Sequence, residues 1–293
     1  RASTREGNPA MLELLLWRAD DFLASPSPNQ IALTVVVIAL AMTVLEKVFI
    51  CMYAAAGRTT GHPILAPRAS RAMLARRTLE VCAMSTLAVL GLQAHWRLGG
   101  LPSGVREGQA AVERAFEFHP LSCRLALFQL GYQVFNTYMS TRDRDGPIFI
   151  GHHIATGMLC FFALAPFLHV YAPFFLGITE VSTAVLCALA AFDKVPMGVP
   201  GMGVTFPVTT QVLGVTFALL FVGIRIVIWP WLSYVFWLDV FAVLEAQVHP
   251  PIACYSFLVA NAGLSLLQVM WLGEIITTAV AVFGKSKDSS KAH

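Results

Sequence analysis

The sequence has little charge: Asp, Glu, Lys and Arg make up 13% of its 293 residues, against roughly 25% in soluble domains. A surface with so few charges cannot face water everywhere, which excludes an ordinary soluble domain. The six cysteines form no CxxC pair and lie in or beside apolar runs, so we interpret them as single thiols rather than as a metal site or disulfides. The net charge of +3 comes without a basic stripe, and we expect no nucleic-acid partner, no metal and no cofactor.

Long apolar runs are what the sequence does contain, with 57% hydrophobic residues and a mean hydropathy of +0.68. Runs of about 20 residues match the hydrocarbon thickness of a bilayer. They lack the alternation of a barrel strand, so helices satisfy their backbone polar groups. The sequence therefore predicts an all-α integral membrane protein with seven transmembrane helices, at Ile31–Tyr53, Thr78–His95, Leu121–Met139, Ile148–Pro166, Val170–Phe192, Phe206–Leu238 and Cys254–Phe283.

The sixth run is longer than a perpendicular span requires. We expect it to tilt or to bend near Pro230, where the missing N–H interrupts the helix, with a hidden re-entrant piece as the alternative. Ahead of the first run, residues 8–30 are predicted to form a short interfacial helix within an N-terminal segment 1–30. The first span and its basic loop occupy 31–74, and a polar tail occupies 284–293.

Loop charges predict the orientation. The loop after the first span has no acidic residue and carries five arginines, Arg58, Arg68, Arg71, Arg76 and Arg77. Short loops of this kind stay on the cytoplasmic or an equivalent side. With seven spans the C-terminus lies on the same side, in agreement with Lys285, Lys287 and Lys291 in the tail.

Two adjacent histidines stand out because ionisable side chains inside a membrane are expensive. His152 and His153 lie near the start of the fourth run. Successive residues of a helix point about 100° apart, so the two rings do not easily chelate one metal. One is a candidate general base or nucleophile and the other its support, with Thr156 one turn after His152. The alternative is that both line a polar seam between helices.

Three further ionisable residues lie within predicted spans. Glu180 is in the middle of the fifth run, where an isolated carboxyl group is either protonated or paired. Arg225 in the sixth run is the obvious counter-ion, and both a structural ion pair and a functional site fit the two residues. Glu274, in the last run, is expected to face the bundle interior.

Five short motifs occur in the order, and on the spans, of a known family. They are GYQVFN (Gly131–Asn136), GHHIAT (Gly151–Thr156), EVST (Glu180–Thr183), FVGIRI (Phe221–Ile226) and LLQVMW (Leu266–Trp271). Together they resemble the TLC domain shared by ceramide synthases, translocating-chain-associating membrane proteins and other lipid-related membrane proteins. The resemblance covers about residues 75–283. It implies that six of the helices form a barrel around a lipid-accessible cavity and that the first helix stands outside it.

The resemblance also implies a site. Its catalytic candidates are His152, His153 and Glu180, and its polar or lipid-binding candidates are Asn136, Asp145, Thr156, Thr183, Arg225 and Glu274. The sequence departs from the ceramide synthase pattern, since Thr179 and Glu180 stand where that pattern has His-Asp, and Asn136 and Thr183 stand at two Asp positions. These losses disfavour N-acyl transfer, which needs a base. The same departures favour the non-ceramide-synthase branch of the family. We expect a protein that is not an enzyme, with an acyltransferase-like lipid enzyme as the alternative.

Two functions follow as hypotheses. The first is a multipass protein that binds or handles a phospholipid or acyl chain in the helical barrel, with membrane lipids as partners. The second is a non-enzymatic subunit of a larger membrane complex, to which the aromatic residues of the sixth span would offer a packing surface. The resemblance implies the endoplasmic reticulum, with a mitochondrial inner or plastid membrane as the alternative.

Overall fold

The computed structural model describes residues 27–100, 110–165, 167–192 and 198–289, with side chains up to residue 280, and these residues contain helices and no strand. The interfacial helix predicted for 8–30 lies almost entirely outside them. The helices are α1 (Pro28–Thr60), α2 (Arg68–Arg97), α3 (Ala111–Phe116), α4 (Pro120–Asp143), α5 (Pro147–Phe162), α6 (Glu180–Ala190), α7 (Met202–Thr205), α8 (Pro207–Phe221), α9 (Trp229–Ala246) and α10 (Pro251–Ser289). Two π-helical segments, Phe174–Ile178 and Val222–Ile228, precede α6 and join α8 to α9.

Membrane-spanning length and apolarity belong to some of these helices and not to all. Among the described residues, Pro28–Thr60, Pro207–Ala246 and Pro251–Val280 are long and apolar enough to cross a membrane. Pro147–Phe162 and Phe174–Ala190 are apolar but shorter. The all-helical membrane class is therefore confirmed. The number of seven spans, the orientation and the closure of six helices into a barrel stay predictions.

The sixth predicted span is one unbroken helix of 40 residues, Pro207–Ala246. At 1.5 Å per residue this is roughly 60 Å, twice the hydrocarbon core, so the helix must tilt steeply or extend beyond it. Pro230 follows directly after the π-helical segment Val222–Ile228. The Trp229 N–H bonds the Ile224 carbonyl, five residues earlier, and the helix continues past Pro230 without a re-entrant turn.

Local sequence signals set the helix ends at the start of α1 and at the turn from α4 to α5. Ser27 and Gln30 form a capping box at the start of α1, with Gln30 N–H donating to Ser27 Oγ at 3.3 Å and Ser27 N–H donating to Gln30 Oε1 at 2.8 Å. At the tight turn between α4 and α5, the backbone of Arg144 adopts the left-handed conformation with φ 60°. Gly146 follows with φ 103°. Pro147 then starts α5, where its missing N–H is no loss. This turn places α4 and α5 side by side as an antiparallel pair.

Glycines let two pairs of helices approach closely. A Cβ built on Gly131 of α4 would lie 2.6 Å from Cβ of Ile38 on α1. A Cβ built on Gly91 of α2 would lie 2.5 Å from Cα of Gly177, in the π-helical segment before α6. Along α1 only Met42 and Glu46 are buried, so this helix lies at the periphery of the bundle.

A cluster of charges joins α1, α2 and α4 at the arginine-rich end. Arg76 of α2 contacts Glu80 at 2.9 Å, Asp143 at 2.6 Å and Asp145 at 2.6 Å. Arg142 contacts Asp143 at 2.6 Å. Burial opposes the charge on Asp143, but the hydrogen bond from Arg142 and the charge of Arg76 outweigh it and lower the pKa of Asp143 below its usual value. Arg142 also contacts Glu46 of α1 at 3.5 Å. Arg76, one of the arginines that predicted the orientation of the chain, thus also ties α2 to α4.

A second, buried ion pair lies near α3. Arg114 donates from Nε to Asp239 Oδ2 of α9 at 2.9 Å and from Nη2 to Asp239 Oδ1 at 2.5 Å. Tyr171 donates its hydroxyl to Asp239 Oδ2 at 2.5 Å. Asp239 is 2% exposed, so three segments far apart in the sequence meet on one desolvated carboxylate.

Candidate functional site

A polar stripe runs along the buried face of α4. Gln129, Gln133, Asn136 and Ser140 follow at intervals of four, three and four residues, which places them on one face of a helix. All four are buried, with exposed fractions of 1–6%. In a helix that packs within a membrane protein, such side chains need partners on the neighbouring helices.

His153 of α5 is the hydrogen-bond partner of two of these side chains. One ring nitrogen, Nδ1, lies 2.8 Å from Gln133 Oε1, and the other, Nε2, lies 3.1 Å from Asn136 Nδ2. The ring therefore donates to the glutamine and accepts from the asparagine as a neutral imidazole. Asn136 Oδ1 is buried with no hydrogen-bond partner among the described residues.

His152 points away from its neighbour, as the helical angle between successive residues requires. Its ring meets that of His153 edge to face at a centroid distance of 5.3 Å and that of Trp271 on α10 at 6.3 Å. Ten residues further along α5, Phe162 lies 6.5 Å from Phe257. The two ring contacts show that α5 and α10 run antiparallel, with His152 between them.

Several polar atoms between α5 and α10 are buried without a hydrogen-bond partner among the described residues. They are Nδ1 of His152, Oγ1 of Thr156 and both Nε2 and Oε1 of Gln268. Thr156 and Gln268 are 7% and 2% exposed. Because Gln268 lies one turn before Trp271 on the antiparallel helix, it stands at a level between His152 and Thr156. Unsatisfied buried groups of this kind are rare, so the absence of a partner for these atoms needs an explanation.

Glu180 and Arg225 do not form the direct ion pair expected from the sequence. Gln129 Nε2 donates to Glu180 Oε1 at 3.3 Å. Arg225 donates instead from Nε to Ser182 Oγ at 2.9 Å and from Nη2 to Thr183 Oγ1 at 2.8 Å. Glu180 lies one helical turn before Thr183 on α6, so the hydroxyl that accepts from Arg225 is on the same helix as the carboxyl group.

An open groove lies between α4 and α5 on the outer surface. It has a volume of about 430 Å³. Its polar lining includes His153 and Gln133, and Gln133 belongs to the polar stripe of α4. Most of its lining is apolar, and Val134, Ile154 and Phe161 are about half exposed along its edges. Gly157 leaves space in its floor, since a Cβ built there would meet only Gln133 at 3.5 Å and Leu130 at 3.9 Å. The groove connects the surrounding hydrocarbon with the ring of His153.

Two predicted site residues differ from expectation in their contacts or exposure. Asp145, expected in the polar cavity, pairs with Arg76 in the charge cluster, because the turn after α4 carries it to the arginine-rich end. Glu274 is exposed and makes no hydrogen bond or ion pair with any described side chain. The structure brings the other candidates together as His152, His153, Asn136, Thr156, Glu180, Thr183 and Arg225.

Sequence reasoning missed Gln129, Gln133 and Gln268. The signal for the first two was present, since their spacing to Asn136 marks one face of α4, but uncharged amides were passed over in the search for ionisable groups. Gln268 lies within the LLQVMW motif and had no such pattern around it. Among the described residues, no group of three or more His, Cys, Asp or Glu side chains is arranged to hold a metal ion.

The comparison with protein families matches this architecture. A family model described as the TLC domain matches residues 82–277, about two thirds of the chain. No curated protein and no solved structure matches the chain. The chain therefore belongs to the TLC domain family and is a membrane protein. The family predicted from the five motifs is thus confirmed, and the closer relation to its non-ceramide-synthase branch stays a prediction.

Proposed function

We propose that this TLC domain protein binds one membrane lipid, with the lipid's polar group among His152, Thr156 and Gln268. The observation that carries the proposal is the set of buried polar atoms without partners on the facing helices α5 and α10. Desolvating such atoms costs about 1–3 kcal/mol each when nothing bonds them. The head group of a lipid supplies donors and acceptors for all of them. Its acyl chains are apolar and suit the helices around the site.

The groove between α4 and α5 fits the acyl part of this proposal. Its mouth is bordered by exposed apolar side chains, and its inner end reaches His153. An acyl chain lying there keeps its methylene groups in an apolar environment. His153 already has both ring nitrogens engaged, whereas Nδ1 of His152 is open. Any residual acyl chemistry is therefore assigned to His152 as the base or nucleophile.

The alternative role as a subunit of a larger complex has less support. Of the aromatic residues proposed as its packing surface, Trp229 and Phe236 are buried within the chain itself, and Trp231 and Tyr234 are exposed. The remaining exposed aromatic rings are also what an interfacial belt requires. We keep the endoplasmic reticulum as the proposed compartment, with a mitochondrial inner or plastid membrane as the alternative, and the C-terminus on the arginine-rich side.

Gln268→Leu tests the lipid proposal. Leucine has a similar size and removes the two unsatisfied atoms, so we expect the delipidated variant to be more stable than the unsubstituted protein by about 1–3 kcal/mol. The same change removes hydrogen bonds to the lipid, so less lipid should be retained. Unfolding of the delipidated protein in mixed micelles and mass spectrometry of the retained lipid measure the two effects.

The matched control is Gln211→Leu on α8, where the glutamine is exposed. It should change neither stability nor lipid retention. A Gln268→Leu variant that loses stability without lipid and still retains lipid normally would show that Gln268 is a structural residue, contrary to the proposal.

A further inference from the structure

Arg225 is held on one side only. Its Nε donates to Ser182 Oγ at 2.9 Å, and its Nη2 donates to Thr183 Oγ1 at 2.8 Å and to the Thr179 carbonyl at 3.0 Å. All three acceptors are neutral. The guanidinium is therefore fixed in orientation by α6 while its charge is not cancelled by these contacts.

No carboxylate oxygen of the described residues lies within 4.0 Å of the Arg225 nitrogens. Glu180, on the same helix as Ser182 and Thr183, makes no hydrogen bond to Arg225. One Glu180 oxygen is also occupied by the amide of Gln129. A cation in an apolar helix is costly, so an arginine without a contacting anion needs a further partner.

One edge of this arginine is open. Its Nη1 forms no hydrogen bond with a described residue, and Arg225 is only partly buried. Trp229, one turn after Arg225, donates from Nε1 to Ser265 Oγ of α10 at 2.9 Å, and Ser265 lies one turn before Gln268. Arg225 and the buried atoms without partners therefore lie on elements that pack against the same helix.

The backbone around Arg225 is irregular in a way that supports a binding role. Arg225 lies within the π-helical segment Val222–Ile228, and the carbonyl that it contacts, that of Thr179, directly follows the π-helical segment Phe174–Ile178. Single π-helical turns inside α-helices occur frequently at functional sites. Here one such turn carries the guanidinium, and the other positions the residues that hold it.

We infer that the open Nη1 edge of Arg225 binds the oxyanion of the lipid, which is a phosphate or a carboxylate. The inference rests on the proposed function and adds the chemical class of the ligand. An arginine presents planar donors that match such oxyanions, and hydrogen bonds between two charged groups are about twice as strong as neutral ones. A diacylglycerol, which has neither group, should bind poorly.

The experiment loads the delipidated full-length protein with four lipids of equal acyl length. They are phosphatidic acid, phosphatidylcholine, free fatty acid and diacylglycerol, and native mass spectrometry measures the retained fraction of each. We expect phosphate or carboxylate lipids to be retained about 10-fold better than diacylglycerol. Preference for the two phospholipids would identify a phosphate ligand, and preference for the fatty acid would identify a carboxylate.

Variants assign the preference to Arg225. Arg225→Gln should remove it, Arg225→Lys should reduce it because the planar fork is lost, and Arg144→Gln, at an exposed arginine, should leave it unchanged. The comparison of the four lipids on the unsubstituted protein tests the preference for an oxyanion without any variant. The test therefore stands even if a variant fails to fold. Equal retention of diacylglycerol, or a preference that persists in Arg225→Gln, overturns this inference and leaves lipid binding in place. Failure to retain any of the four lipids counts against the proposed function.

Discussion

Asp239→Leu is expected to be among the most destabilising single changes in this protein. The Asp239 carboxylate is 2% exposed and accepts hydrogen bonds from Arg114 and Tyr171. Removing it takes from the buried guanidinium and from the buried hydroxyl a carboxylate that both of them bond. Loss of one partner of a buried ion pair costs about 3–5 kcal/mol. Unfolding in mixed micelles should therefore show a decrease of this size in the free energy of unfolding.

Two companion variants separate the ion pair from other effects of the substitution. Combining Asp239→Leu with Arg114→Met removes both charges, and replacement of a whole buried pair by apolar residues is often close to neutral. The double variant should recover most of the lost stability. Glu245→Leu, at an exposed acidic residue of the same helix, should have little effect. A double variant no more stable than Asp239→Leu alone would contradict the assignment of the loss to an uncompensated charge.

Gly91→Ala is the second change with a large expected effect. The new Cβ would lie 2.5 Å from Gly177 Cα and 2.8 Å from the Pro173 carbonyl oxygen. Both are backbone atoms, so no side chain can rotate away and the two segments must separate. Overpacking typically costs about 1–3 kcal/mol, and we expect a loss at or above the upper end of that range. Thermal unfolding of the purified protein measures it.

The control for Gly91→Ala is the same substitution at Gly214 of α8, where a built Cβ meets nothing within 4 Å. Alanine is favoured over glycine in a helix interior by roughly 0.5–1 kcal/mol, so Gly214→Ala should be neutral or slightly stabilising. Opposite signs for the two variants are expected. If Gly91→Ala were as well tolerated as Gly214→Ala, the close approach of α2 to the segment before α6 would be wrong.

Much of the architecture was accessible from the sequence because bilayers constrain it strongly. Long apolar runs without strand alternation predicted an all-helical membrane protein, and the five ordered motifs predicted the family. The divergence of His152 and His153 also followed from helical geometry, since adjacent residues cannot share one direction. These features depend on local sequence alone, which is why they could be predicted.

The parts that the sequence did not reveal depend on how helices meet. Asp145 was assigned to the cavity from its spacing to His152, and its carboxylate pairs with Arg76, which is distant in sequence. Likewise Arg225 and Glu180 had suitable charges, and only the structure shows that Arg225 donates to Thr183 and not to Glu180. Arg114, Asp239 and Tyr171 received no role because nothing in the sequence relates three segments that meet on one carboxylate.

The most direct test of the account is the native mass of the protein after mild solubilisation from its own membrane. We predict a particle of one or two copies of the 31.9 kDa chain that carries the additional mass of a lipid, and this mass should decrease when His152 and His153 are both replaced by alanine. A chain that carries no lipid would contradict the proposed function. So would recovery of the chain only as part of a particle many times larger with constant protein partners, which would indicate that it is a subunit of a complex.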